Sequence, residues 1–119
     1  MIHEFFVIDY EEIPKDKGCY RELKDGKKII EVHDDVIRRN KLFFQDFRSF
    51  RVSFKNPGEG LDYLGITIIP STSINDFMLN VTKAKEKIKT LVLQQQVDEL
   101  ILLCEQALKE NKYIIHWGL

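Results

Sequence analysis

The spacing of apolar residues changes along the chain, and this change is the strongest constraint on the fold. Residues 47–55 alternate with a period of two, which predicts a half-buried strand. Residues 74–110 carry apolar side chains at helical spacing, and residues 112–119 return to a period of two. The pattern predicts an α+β protein, with a mainly antiparallel sheet of about five to six strands and two longer C-terminal helices packed on one face.

Two helices, rather than one, are expected between residues 74 and 110. The apolar stripe that begins at Ile74 is rotated by about 100° from the stripe that begins at Val97. The segment between them, residues 87–93, fits either a helix or a short strand. Asn111 is expected to end the last helix in a left-handed conformation, and the apolar strand after it should lie inside the sheet.

Asp25-Gly26 is the strongest local turn signal. A two-residue Asp-Gly loop is typical of a type I′ hairpin, so strands are expected at residues 19–24 and 27–32. Ser73 and Asp76 have the spacing of a capping box for a helix that starts near Ile74. The other predicted elements are strands at residues 2–9 and 61–69, a short helix at residues 35–44 whose N-cap is a carboxylate of Asp34 or Asp35, and a turn at residues 56–60.

Length and composition exclude several classes of protein. At 119 residues the chain is expected to form a single globular domain, residues 1–119. An aromatic content of 11% and a net charge of −1 argue against disorder. The longest apolar run, residues 100–104, is far shorter than the ~20 residues of a membrane span, so no membrane association is expected.

The N-terminus and the cysteines indicate the compartment. No basic segment precedes the first apolar residues, and the acids Glu4 and Asp9 interrupt what would be a signal-peptide core. Cys19 and Cys104 are 85 positions apart, and Cys104 belongs to a helical apolar stripe, which favours a buried thiol over a disulfide. These features predict a cytoplasmic protein.

No catalytic, cofactor or metal motif is visible. The three histidines, His3, His33 and His116, lack the close spacing of metal ligands, and the glycines of residues 56–60 do not form a phosphate-binding loop. The chain is therefore predicted not to be an enzyme, with no catalytic residues, no cofactor and no metal. One enzymatic alternative stays open, in which His116 is a buried base that works with Asp62 or Glu4.

Acidic residues are concentrated in the first part of the chain, where residues 1–35 carry ten acids and six bases. Such a segment can complement a basic partner protein and steer its approach. The predicted partner-binding residues are Glu11, Glu12, Asp16, Asp34 and Asp35.

Basic and aromatic residues interleave between residues 38 and 55, which supports an alternative function. Single-stranded nucleic acid is bound by surfaces where rings stack on bases and cations follow the backbone. The cations are Arg38, Arg39, Lys41, Arg48, Arg51 and Lys55, and the rings are Phe43, Phe44, Phe47, Phe50 and Phe54. The period of two argues against this alternative, because it directs the rings of Phe50 and Phe54 away from the cations.

The second half of the chain resembles small uncharacterised bacterial proteins of the toxin immunity-protein type. The resemblance covers residues 61–119 and is carried by the segment 64–70, a helix from Ile74, a second helix and the terminal segment 112–119. It implies a protein that neutralises a cognate bacterial toxin by direct binding, and it assigns no residue roles. We therefore expect a cytosolic protein-binding inhibitor whose partner is a toxin, with binding of RNA or single-stranded nucleic acid as the alternative.

Overall fold

The computed structural model of the chain describes residues 1–15 and 20–119. Within them, six strands form one antiparallel sheet in the order β2-β1-β6-β5-β3-β4. The strands are β1 (Ile2–Ile8), β2 (Ile30–His33), β3 (Arg48–Arg51), β4 (Pro57–Glu59), β5 (Ile66–Ile69) and β6 (Tyr113–Trp117).

Two longer helices pack against one face of this sheet. The described helices are α1 (Tyr20–Leu23), α2 (Asp34–Arg38), α3 (Ile74–Glu86) and α4 (Leu91–Glu110). Phe77 of α3 and Leu100 of α4 are fully buried in one cluster with Phe5 of β1 and Ile114 of β6. The predicted α+β fold is thereby confirmed.

The opposite face of the sheet has a smaller core of its own. Phe6, Ile68 and Ile115 are buried there together with Ile13 and Tyr20, which come from the connection between β1 and β2. Because side chains alternate along a strand, a strand with apolar residues at consecutive positions has both faces covered. This explains why β1, β5 and β6 read as nearly continuous apolar runs.

The C-terminal strand lies where the sequence predicts it, inside the sheet. β6 pairs with β1 on one side and β5 on the other. Tyr113, Ile115 and Trp117 belong to the smaller core, whereas Ile114 faces the helices. Asn111 ends α4 with φ 53° and ψ 49°, as expected.

The predicted Asp-Gly hairpin is wrong. Residues Tyr20–Leu23 form a helical turn instead of a strand, and β2 pairs with β1. Gly26 has a φ of +75°, but Asp25 is not among the described residues with positive φ, so the loop is not type I′. The cause is tertiary: the Tyr20 ring is buried in the smaller core, and its hydroxyl donates a hydrogen bond to the carbonyl oxygen of Val52.

The predicted helix at residues 35–44 is shorter than expected and is capped differently. α2 ends at Arg38, and the Asn40 side chain donates to the carbonyl oxygen of Val36. The N-cap is His33, whose Nδ1 accepts the backbone N–H of Asp35. A carboxylate cap at Asp34 or Asp35 was therefore a wrong prediction.

Two strand predictions were too long. β3 ends at Arg51 because Val52 takes a left-handed φ of 66°, which interrupts the ladder. β5 begins only at Ile66; it pairs with β3 in antiparallel orientation and ends before Pro70. Part of the predicted turn at residues 56–60 is the short edge strand β4, a position that tolerates proline.

α3 starts at Ile74, as the sequence predicts, but without the expected capping box. Ser73 makes no side-chain capping bond and ends a single turn of 3-10 helix that precedes α3. The open segment at residues 87–93 is a connection over residues 87–90 followed by the first turn of α4, and it contains no strand. Cys104 is a buried free thiol in α4, whereas Cys19 lies outside the described residues.

Two glycines with the same backbone conformation differ in the space around them, which allows a stability prediction. A Cβ at Gly60 (φ +66°) would lie 2.3 Å from the Cα of Gln45, whereas a Cβ at Gly26 (φ +75°) would meet nothing within 4 Å. We expect Gly60→Ala to lower the free energy of unfolding by about 2–3 kcal/mol and Gly26→Ala by about 1 kcal/mol. Chemical denaturation measures both, and equal losses would contradict the steric argument.

Candidate functional site

The predicted acidic binding residues do not form one surface. Glu11 and Glu12 lie in a turn of 3-10 helix just after β1, and a carboxylate oxygen of Glu12 accepts the backbone N–H of Asp9. Asp34 lies near the opposite end of β1, where its N–H donates to the carbonyl oxygen of Met1. A seven-residue strand is about 23 Å long, so the two groups are well separated. Asp16 lies outside the described residues.

Asp34 and Asp35 are adjacent in sequence but differ in their surroundings. Asp34 is buried, with 6% of its surface exposed, and its carboxylate takes part in a hydrogen-bonded chain inside the protein. Asp35 is partly exposed and binds Arg38, whose Nη2 lies 2.7 Å from its Oδ1. Of the pair, only Asp35 is available to a partner.

Four buried polar side chains from different parts of the sequence form this chain. The Nε2 of His3 lies 3.0 Å from Oδ1 of Asp34, and its Nδ1 lies 2.8 Å from Nε2 of His116. The Nδ1 of His116 lies 3.2 Å from Oγ1 of Thr67. His3, His116 and Thr67 are fully buried. Tyr63 covers the Asp34 end, where its hydroxyl donates to the same carboxylate oxygen.

The sheet register brings the two imidazoles together. β1 and β6 are antiparallel neighbours in which Phe5 pairs with His116, and His3 lies two positions before Phe5 on the same face. β5 places Thr67 directly opposite His116. Because this face carries the helices, the imidazoles are sealed beneath them, and the aromatic rings of Phe5 and Tyr63 lie within about 5 Å of them.

One arrangement of hydrogens satisfies every member of the chain. The Asp62 amide donates to Thr67 Oγ1 over 2.8 Å, which leaves the Thr67 hydroxyl to donate to His116 Nδ1. His116 then donates through Nε2–H to His3 Nδ1, and His3 donates through Nε2–H to Asp34. This assignment follows from the donor and acceptor inventory of neutral imidazoles and an ionised carboxylate.

The electrostatic surroundings favour this protonation state. Burial lowers the pKa of His116 well below its ordinary value, and the neighbouring His3 and Arg51 act in the same direction. Burial also lowers the pKa of His3, although Asp34 opposes it. Burial alone would raise the pKa of Asp34, but hydrogen bonds from Tyr63 and His3 outweigh it and hold the pKa below its usual range.

The hydrogen-bonded chain of His3, Asp34, His116 and Thr67 has the elements of a proton relay, since each imidazole can accept a proton at one nitrogen and release one at the other. Its contact with the surface is at Asp34 and Tyr63, because both imidazoles are fully buried. The carboxylates suggested as partners of His116 are elsewhere: Glu4 binds Lys24 over 2.6 Å, and Asp62 contacts Thr67 through its backbone. Within the described residues, no three His, Cys, Asp or Glu side chains are grouped so that they could hold a metal ion.

A second candidate site is a depression on the surface beside α2, which we call the basic groove. It consists of two adjoining hollows of about 250 and 510 Å³, between residues 35–43 and residues 87–93. Five of the described side chains that line it are cationic: Arg38, Arg39, Lys41, Lys87 and Lys89. The fold thus unites two basic segments that are far apart in sequence.

The aromatic residues of the predicted nucleic-acid segment do not accompany these cations. Phe44 and Phe47 are buried in the main core, and Phe50 and Phe54 pack against the smaller core on the opposite face of the sheet. Phe43 is half-buried at the edge of the groove. Of the five rings, Phe43 is therefore the one that lies beside the cations of the groove.

The sequence pattern indicates that His116 is buried, but neither His3 nor the basic groove was predicted from it. A usable signal for His3 was present, because it shares the alternating face of β1 with Phe5 and Val7, and both of those residues are buried. No such signal existed for the groove, whose two halves are about 50 residues apart.

Comparisons with known proteins yield no relatives. No family model matches the chain, and neither the curated proteins nor the solved structures include a significant match. None of the helices in the described part of the chain combines the length and the apolar character that a bilayer span needs.

Proposed function

We propose that the protein is a cytoplasmic protein-binding module of the immunity type, which neutralises a cognate bacterial toxin by direct binding. The observation that carries the proposal is the composition of the basic groove. Leu42, 81% exposed, stands there among arginines and lysines from two segments. Apolar side chains next to arginine are characteristic of protein interfaces.

The groove is better suited to binding than the acidic residues predicted from sequence. Glu12 is engaged by Lys27, whose Nζ lies 3.0 Å from its carboxylate, and Asp34 is buried. In the groove, Arg38 and Arg39 contact Asp35, but three further exposed lysines leave the concave surface with an excess of positive charge. A role for Glu11, Glu12 and Asp35 at the margin of an interface stays a prediction.

A protein partner is favoured over nucleic acid by the apolar lining of the groove. Base stacking requires exposed aromatic faces, but Phe44 and Phe47 are committed to the core, and Phe43, the ring that lines the groove, is half-buried against that core. Leu42 and Leu93 are aliphatic, so they can bury surface against a protein side chain but offer no stacking platform.

Co-expression with the product of the adjacent upstream gene tests the proposal. We expect the two proteins to co-purify as a stable complex, with an affinity of about nanomolar for an interface of standard size, and the cells to survive expression of that product. An unrelated protein of the same size and net charge serves as the control. If the two proteins neither bind nor change survival relative to the control, the proposed function is wrong.

A further inference from the structure

We propose that the basic groove docks an extended acidic segment of the partner protein, in which carboxylates flank one apolar side chain. This inference rests on the proposed function and specifies the chemistry of the partner. The sequence predicts acidic binding residues and a basic partner, whereas the groove is positive and the segment that it would bind is negative.

The charge balance in the groove selects an anionic segment. Five cations line the two hollows, and Asp35 is the one acid among the described residues that do so. Arg39 and Lys87 line both hollows, so they lie where the two meet. An anion placed between them would be attracted from both walls, and arginine can bind a carboxylate through two parallel hydrogen bonds.

Apolar side chains in the same groove select an occupant with an apolar residue. Leu93 lines the hollow next to α4, above the buried Val36 and Ile88, and Leu42 and Phe43 line the other. Leu42 is the most exposed of the described large apolar residues. A leucine or isoleucine between acidic residues would cover this surface while its neighbours meet the cations.

The wall formed by α2 is held in place before the partner arrives. Asp34 is fixed from below by hydrogen bonds from His3 and Tyr63, and Arg38 lies across both acids of the helix, with Nε 3.6 Å from Asp34 and Nη2 2.7 Å from Asp35. Arg39 extends from this fixed helix with its Nη2 3.8 Å from Asp35, and its side chain is 71% exposed. A preformed wall lowers the entropy cost of binding.

Fluorescence anisotropy with a defined peptide tests the inference. The probe is a labelled peptide with a central leucine flanked on each side by three glutamates, measured at low salt. We expect a dissociation constant of about 10–100 µM, weakening as salt is raised. The double variant Arg39→Ser/Lys87→Ser should bind about tenfold more weakly.

A charge-matched control variant separates the groove from the general field of the protein. Lys28→Ser/Lys109→Ser removes the same charge from exposed positions, and Lys109 lies 18 residues along α4 from Leu91, about 27 Å away. This variant should bind the peptide as the wild type does. Both variants alter exposed residues, so circular dichroism should show unchanged folding. Absence of binding, or an equal loss in both variants, would overturn the inference.

Two further measurements identify the kind of occupant. An oligothymidylate of similar charge should bind more weakly than the peptide. If it binds more tightly, and this binding depends on Arg39 and Lys87, the occupant is nucleic acid and the inference is overturned. Self-association of the protein that competes with the peptide would mean that a second copy of the protein occupies the groove. That result would also overturn the inference.

The failure of this inference is distinguishable from that of the proposed function. If Arg39→Ser/Lys87→Ser leaves the complex with the upstream gene product unchanged, the groove is not the docking site, although the neutralising function stands. If the peptide binds in the groove as expected but no toxin is neutralised, the acidic-segment site stands and the immunity function is wrong.

Discussion

Replacement of His3 by phenylalanine is expected to lower the free energy of unfolding by about 3–4 kcal/mol. A planar ring is retained, although phenyl is somewhat larger than imidazole, but Asp34 loses one of the donors that compensate for its burial, and His116 Nε2–H loses its acceptor. Removing a hydrogen-bond donor from a buried carboxylate is costly because its negative charge is left with less compensation. Urea denaturation of the variant and the wild type at neutral pH measures the loss.

A double-mutant cycle attributes this loss to the hydrogen-bonded chain. Asp34→Asn keeps the shape of the side chain and removes its charge, so in that background His3→Phe should cost less, by about 1–3 kcal/mol. Asp34→Asn changes the contacts of Tyr63 and Arg38 with residue 34 equally in the wild-type and His3→Phe backgrounds, so these changes cancel in the cycle. If His3→Phe lowers the free energy of unfolding by less than about 1 kcal/mol, or the losses from His3→Phe and Asp34→Asn are additive, the hydrogen-bonded chain is not a stabilising unit.

Stability is expected to fall steeply as the pH is lowered from 7 to 5. The pKa of His116 and that of His3 are lowered by burial, so below about pH 6.5 the folded protein binds fewer protons at these imidazoles than the unfolded chain does. For each imidazole that stays neutral in the folded state, the free energy of unfolding then decreases by about 1.4 kcal/mol per pH unit as the pH is lowered. His116 alone contributes a loss of about 2 kcal/mol across this range.

The lowered pKa of Asp34 acts in a different range. A carboxylate whose pKa is depressed by folding contributes stability above its unfolded value of 3.8, and that contribution is lost only as the pH falls through the folded pKa. The slope between pH 7 and pH 5 therefore reports on the imidazoles and not on Asp34.

Two histidine variants test the pH prediction with the same measurement. His116→Gln retains a donor and an acceptor without the titrating ring. The slope of the free energy of unfolding against pH should therefore decrease by about 1.4 kcal/mol per pH unit. His33→Gln is the comparison variant, because it removes the third imidazole, whose side chain is 45% exposed and caps α2 outside the hydrogen-bonded chain. A slope that is unchanged in His116→Gln would mean that the folded protein takes up the proton.

The local elements were largely predictable because they depend on short-range patterns. The stripes that begin at Ile74 and Val97 predict two helices, and Asn111 has the left-handed conformation that its position indicates. The errors fall where a distant contact overrides a local signal. Asp25-Gly26 favours a hairpin, but the burial of Tyr20 against Val52 draws the chain into a helical turn.

The candidate sites were less predictable, for the same reason. Alternation along β1 assigns His3 to the apolar face, and alternation along β6 assigns His116 to the face of Ile114. Nothing in either pattern states that β1 and β6 are neighbours. Charge counts likewise identify two basic segments without indicating that they form opposite walls of one groove.

The sequence by itself determined the α+β class, the two C-terminal helices and the position of the last strand inside the sheet, since apolar periodicity specifies which face of each element is buried. Only the tertiary structure decided which elements meet. The imidazoles of His3 and His116, 113 residues apart, are joined over 2.8 Å because β1 pairs with β6. Periodicity fixes the direction of a side chain, whereas its partner is fixed by long-range strand pairing and helix packing, which depend on the whole chain.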